Sequence, residues 1–352
     1  MTLRPFDTLK VASSNVEGRL AQGHPEPRRG VTIRVGTRGS QLALCQANAV
    51  AARLRAQAGV ACEIVIIKTS GDRLAEATLA QIGGKRLFVK EIEDALLAGD
   101  VDVAVHSSKD MPAALPRGLA IGAVMPREDP RDAVVLPAGS AMGTSLEQIV
   151  ARLGRSPRIG TCSVRRTAQL TRLFPGGRFM PIRGNLDTRL RKLDSREYDA
   201  IVLAAAGLIR LEHGARISAA LPVTACVPAP GQGIIAIEVR AGNEPAAEWV
   251  ATIDDPCSRA ALDAERALVT RLGGGCQMPI GAYADVIDDE LHMTAIVLSL
   301  DGAQAVRAQT RGAITEAHFV GTTAAEQLLA QGAEEILTDV ERAHAAVEGL
   351  QP

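Results

Sequence analysis

Apolar and polar positions along this chain follow two rhythms. One is the short β-branched run; the other is the helical repeat, with apolar residues three and four positions apart. "TIRV" (32–35) reads as a strand, and "SQLALCQANAVAARLRAQAG" (40–59) as a helix with Ser40 placed to cap it. "CEIVIIK" (62–68) is a second strand. In "LFVKEIEDALLAGD" (87–100), Phe88, Ile92, Ala95 and Leu96 share one helical face. "VDVAV" (101–105) and "LAIGAV" (119–124) are further strands. This texture predicts a largely parallel sheet with helices on both faces.

The rhythm restarts after Arg131, through "DAVVL", a helix over "SLEQIVARL", "RIGT", a helix from Ser163, "RFMPI" and "YDAIVLAAAGLIRL". "CVPAPGQGIIAIEV" (226–239) is a Pro/Gly-marked crossing followed by an apolar strand, placed to rejoin the first sheet. From Pro256 a third unit begins with a helix (257–272). Strands near 281–287, 291–299 and 304–311 and one long Ala-rich helix follow. The predicted fold is α/β in three domains: two doubly wound lobes around a hinged cleft, plus a small α+β domain. The first lobe takes 31–128 and 232–252, the second 129–228, and the third domain 256–352. Residues 1–30 lack a signal-peptide core and are expected to be a poorly ordered extension. "TSGDRLAEATLAQIGGKR" (69–86) is either a lid over the cleft or a plain solvent loop.

Composition narrows the function. Aromatics are 2% of the 352 residues, so the cores are built from Ala, Val, Leu and Ile. That scarcity argues against a stacking platform for single-stranded nucleic acid. The net charge of -1 gives no global steering toward DNA or anionic lipid. No apolar run is long enough to span a bilayer. The six cysteines form neither a C-x-x-C nor a zinc-ligand pattern with histidine, so no metal and no disulfide framework is expected. A reducing cytoplasm fits this usage.

Three stretches carry chemistry. "VDVAVHSSKDMP" (101–112) ends a strand in His106, Ser107, Ser108, Lys109 and Asp110, where parallel sheets face their ligand crevice. His106 alone reads as a hydrogen-bonded loop residue; the group reads as functional. "GTCSVRRTAQL" (160–170) puts Arg165 and Arg166 in the first turns of a helix capped by Ser163, and "PIRGNLDTRLRKL" (181–193) adds Arg183 and Arg189. Arg38 follows the first strand. Cations in a first helical turn oppose the helix dipole, and an anionic ligand would compensate. Arginine forks suit its carboxylates or phosphates; Arg191 and Lys192 read as solvated. In "GGGCQMPIG" (273–281) the glycines would leave Cys276 reachable, so it is either a nucleophile at a loop tip or a small residue filling a turn. A solute-binding protein would explain the cleft but not Cys276 or Asp110. A cysteine hydrolase would explain Cys276 but lacks a histidine base in any matching motif.

Taken in order, "IRVGTRGSQLAL", "GGKRLFVKEIEDALL", "DVAVHSSKDMP", "IGTCSVRRTAQL", "RGNLDTRLRKLD", "APGQGIIAIEVR" and "GGGCQMPIGAYA" resemble the porphobilinogen deaminase (hydroxymethylbilane synthase) family. The resemblance implies two lobes like those of periplasmic binding proteins, and a dipyrromethane cofactor held by a thioether to Cys276. It implies a transferase that joins four porphobilinogen molecules head to tail, releasing ammonia each time, and frees a linear hydroxymethylbilane by hydrolysis. In that likeness Asp110 is the catalytic carboxylate, expected to be buried beside the pyrrole nitrogens. Ser107, Lys109, Ser163, Arg165, Arg166 and Arg189 contact the cofactor, and Arg38, Ser40, Arg183 and Arg210 the substrate. The stretch 69–86 matches a mobile loop over the cleft. A monomer is the family habit; with the cytoplasm read from the cysteines, and neither nucleic acid nor membrane expected as partner from charge and composition, the expected partner is the small-molecule substrate porphobilinogen. Cys162 stands where serine is common, and Gln81 where some members carry lysine.

Overall fold

The computed structural model describes residues 31–69, 89–140, 145–275 and 277–349. Its strands, in chain order, are β1 (Thr32–Thr37), β2 (Ala61–Ile66), β3 (Val103–Ser107), β4 (Leu119–Val124), β5 (Asp132–Val135), β6 (Arg158–Gly160) and β7 (Arg178–Met180). They continue with β8 (Ala200–Ala204), β9 (Ala219–Ala220), β10 (Ile235–Arg240), β11 (Ile280–Ile287), β12 (Glu290–Leu298) and β13 (Ala305–Ala313). Three sheets result, ordered β2-β1-β3-β10-β4, β7-β6-β8-β5-β9 and β11-β12-β13.

The first two sheets are mixed rather than largely parallel. β1 runs parallel to β2 and β3, but β10 is antiparallel to both β3 and β4. In the second sheet β6 runs parallel to β7 and β8, while β5 is antiparallel to β8 and β9. Connectivity explains the reversal. β5 and β10 each follow directly on a crossing between the lobes, so each enters its sheet from the opposite end.

Local chemistry starts the helices where the pattern places them. Ser40 Oγ accepts from Ala43 N to begin Gln41–Gln57, and Ser145 and Gln148 close a capping box at Leu146–Leu153. Ala47, Val50 and Leu54 of the first helix bury against Ile33, Val35, Val103 and Val105 of the sheet. The full burial of Leu54 contributes about 2 kcal/mol. In the third unit small side chains replace aromatic bulk. A Cβ on Gly321 would collide with the Ala264 carbonyl, so helix Ala317–Ala330 can lie hard against helix Pro256–Arg271. The single closing helix expected from the pattern is two, Ala317–Ala330 and Ala333–Gly349, divided at Gly332 with φ +95°.

Candidate active site

β3 ends at Ser107, and the chain then makes one 3-10 turn, Ser108–Asp110. The turn is held from behind. His106 is buried with Nε2 3.1 Å from the Glu238 carboxylate on β10, so the expected hydrogen-bonded histidine belongs to the strand, not a loop. Gln46 Nε2 donates to Ser107 Oγ at 2.9 Å. Gly231, with φ +72°, sits so close that a Cβ there would stand 2.6 Å from Ser108 Oγ. Asp110 itself is exposed, contrary to the burial expected of it, because the turn carries it past the end of the sheet. With Arg38, Ser40, Gln46 and Ser107 it lines a pocket of about 60 Å³.

The other wall comes from the second lobe. Ser163 Oγ accepts from Arg166 N at 3.4 Å and caps helix Val164–Leu170. Arg165 and Arg166 are both buried, and both reach Asp132 at the head of β5. Arg165 Nη1 donates to Asp132 Oδ2 at 2.7 Å and to the Val227 carbonyl at 2.6 Å; Arg166 Nε donates to Asp132 Oδ1 at 2.9 Å. Gln232 Nε2 donates to the same carboxylate at 3.0 Å. The compensation expected of an anionic ligand is therefore supplied in part by the protein itself. Although burial opposes it, the two guanidiniums hold Asp132 far below the usual carboxylate range. Burial and Asp132 push the adjacent Cys226 thiol up to about 12, which leaves it inert.

Two guanidiniums on one carboxylate leave a positive surplus, and more cations face it. Burial lowers the Lys109 ammonium to about 8; Asp110 and Asp132 oppose the shift, while Arg166 and Arg165 reinforce it. Burial and then Arg166 lower Arg189, whose Nε donates to the Gly184 carbonyl at 2.9 Å. Lys109, Asp110, Arg165, Arg166 and Arg189 thus form one electrostatic group. Arg38, Ser40, Ser107 and Asp110 form one pocket, with Asp110 common to both. Arg183 is half-buried ahead of helix Leu186–Asp194. Arg210 Nη2 donates to the Gly233 carbonyl at 2.7 Å. Cys162 is exposed, its Sγ donating to the Ile182 carbonyl at 3.1 Å. Cys276 and the stretch 70–86, Gln81 included, lie outside the described residues.

Asp132 was missed in the sequence, although a signal exists. An acidic residue opening an apolar strand is set to be buried and needs a cation. A wider pocket of about 550 Å³ lies between β12, β13 and helix Ala317–Ala330, and shares no lining residue with the Asp110 pocket. Among the described residues no group of acidic, His and Cys side chains is placed to hold a metal, and no helix is long and apolar enough to cross a membrane.

The family model for the porphobilinogen deaminase dipyromethane cofactor binding domain matches residues 33–248, and that for the porphobilinogen deaminase C-terminal domain matches 260–330. The chain belongs to the porphobilinogen deaminase family. Porphobilinogen deaminase of Geobacter metallireducens is 45% identical over 317 residues, 90% of this chain and 97% of its own. The enzyme of Moorella thermoacetica is 45% identical over 91% of this chain and all of its own. That of Desulforudis audaxviator is 48% identical over 87% of this chain and 97% of its own. A distant likeness in fold extends to the Bordetella pertussis BvgS periplasmic VFT2 domain, with a TM-score of 0.37 and 16% identity over 63% of this chain and 86% of that one. As a porphobilinogen deaminase, the chain is a transferase that polymerises porphobilinogen into hydroxymethylbilane for tetrapyrrole biosynthesis, using a dipyrromethane cofactor.

Proposed function

We propose that this reaction runs in the cleft between the two lobes, with Asp110 as the catalytic carboxylate and Cys276 as the point of thioether attachment. The observation that carries the reading is the positive charge that buried Arg165 and Arg166 leave over beyond Asp132, on the wall facing the Asp110 turn. Asp132 balances one of Arg165 and Arg166 but not both, and the pKa of Arg189 is lowered first by burial and further by Arg166. A group bearing several carboxylates fits that surplus, and a dipyrromethane with acetate and propionate arms is such a group. Arg165, Arg166, Arg189, Lys109, Ser107 and Ser163 would hold it, and Arg38, Ser40, Arg183 and Arg210 the incoming porphobilinogen. When bound, the cofactor supplies the pyrrole carbon to which the next ring is joined.

Asp110 stands where a negative charge would stabilise the positive charge that develops on a pyrrole as ammonia departs. Because it is exposed, its field is strongest where bound rings exclude water. We further propose three domains, at 31–128 with 232–252, 129–228 and 256–352, in a monomeric chain of the cytoplasm with no nucleic-acid or membrane partner. The near-neutral charge and the scarcity of aromatics support a small-molecule enzyme.

The test joins mass to rate. The intact chain should exceed its sequence mass by two linked pyrrole units, and Cys276→Ser should abolish the excess. Asp110→Asn should lower the rate of hydroxymethylbilane formation about a hundredfold or more, while Asp110→Glu keeps part of it. An active chain without added mass, or Asn equal to Glu, refutes the corresponding assignment.

A further inference from the structure

Helix Pro256–Arg271 ends shortly before Cys276 in the chain, and two neighbouring residues on it reach out of the third unit. Glu265 Oε2 accepts from Gly231 N at 2.6 Å, and Gly231 is the residue pressed against Ser108. Arg266 reaches the far side of the same turn. Its Nη1 donates to the Pro112 carbonyl at 3.0 Å and its Nη2 to the Ala113 carbonyl at 2.6 Å. Burial lowers the Arg266 pKa, while Asp263 and Glu238 oppose the shift, and Glu238 is also the partner of His106. The Ser108–Asp110 turn is therefore held upstream through His106, from behind through Gly231, and downstream through Arg266.

A guanidinium bound to two successive carbonyls fixes direction as well as distance, because its donors form a rigid planar fork. Among the described residues Asp110 has no side-chain hydrogen bond of its own; it is exposed, and its position is that of its turn. We infer that Arg266 is a positioning residue for Asp110, setting the catalytic carboxylate in register with the helix that leads to the cofactor cysteine. This rests on the roles proposed for Asp110 and Cys276.

The experiment uses full-length, cofactor-loaded protein carrying Arg266→Met or Arg266→Lys, each alone and combined with Asp110→Glu. Arg266→Met should keep the two-pyrrole mass and a KM for porphobilinogen within about twofold, and lower kcat about 10- to 100-fold, the range expected of a misplaced reacting group. Arg266→Lys should recover part of the rate. With Asp110→Glu, which already displaces the carboxylate, the loss from Arg266→Met should shrink, since residues acting through one geometry are not additive. A wild-type kcat in Arg266→Met, or an equal loss in both backgrounds, overturns the proposal. Should Arg266→Met fail to fold, Arg266→Lys keeps the charge and carries the same comparison of backgrounds. Unimpaired turnover in Asp110→Asn overturns the catalytic reading instead, whatever the Arg266 variants do.

Discussion

Asp132 and Glu265 are both fully buried carboxylates that hold arginine, yet they are built to opposite ends. Glu265 meets one guanidinium, Arg127 Nη1 at 2.6 Å, and fills its remaining acceptor capacity with the backbone N–H groups of Gly231 and Ala284. Arg127 in turn donates to the Gln232 carbonyl at 2.8 Å and lies 5.0 Å over the Tyr283 ring. Charge balances there, and the cluster joins the first lobe, the second crossing and the third unit. Asp132 meets two guanidiniums, so a positive charge is left over on the wall that faces Lys109 and Asp110. Buried charge is costly unless paired. A balanced cluster therefore marks a joint, and an unbalanced one marks where a ligand of opposite charge completes the pairing.

The largest effect should come from Asp132→Asn, which strands two buried guanidiniums. Urea unfolding of the unloaded Cys276→Ser chain should show a loss of about 4 kcal/mol, with a smaller loss in the loaded protein, where cofactor carboxylates supply negative charge. Equal losses in both forms would break the comparison. Glu265→Gln should cost roughly 3 kcal/mol, and by the same amount loaded or unloaded, because its cluster needs no ligand. A loss that depends on loading would make Glu265 part of the site. The smallest effect is a pH dependence at Lys109. Its folded pKa, about 8, lies below the ordinary 10.5, so between these values the unfolded chain binds more protons than the folded one. Stability of the unloaded chain should therefore rise with pH across that window. Lys109→Met should flatten the rise. Loading should also reduce it, since nearby carboxylates draw the pKa back up.

Much of this was legible from the chain because it is local. Ser40, Ser145 and Ser163 each cap the helix that follows, and the Val- and Ile-rich runs became strands within a few residues of their expected limits. The return of β10 to the first sheet followed from its place after the crossing. Its direction did not, since strand polarity depends on which end of the sheet the crossing reaches. The Arg165 and Arg166 helix was readable but not the carboxylate it meets, 33 residues away in sequence. Arg266 contacts Pro112 across 154 residues, and no periodicity reports a partnership of that span. The exposure of Asp110 was misjudged because burial is decided by how far a turn projects beyond its sheet, not by the residues in it.

The sheet order also constrains synthesis. In the first lobe β10 lies between β3 and β4, which pair with it and not with each other. Every strand of the second lobe falls between Asp132 and Ala220, so that sheet can be completed while the first still lacks its middle member. A ribosome adding about 5–20 residues per second needs on the order of ten seconds to travel from Val124 to Ile235. For that interval β3 and β4 present bare edges of the kind that invite wrong pairing. The lobe that begins first is thus the one that finishes last.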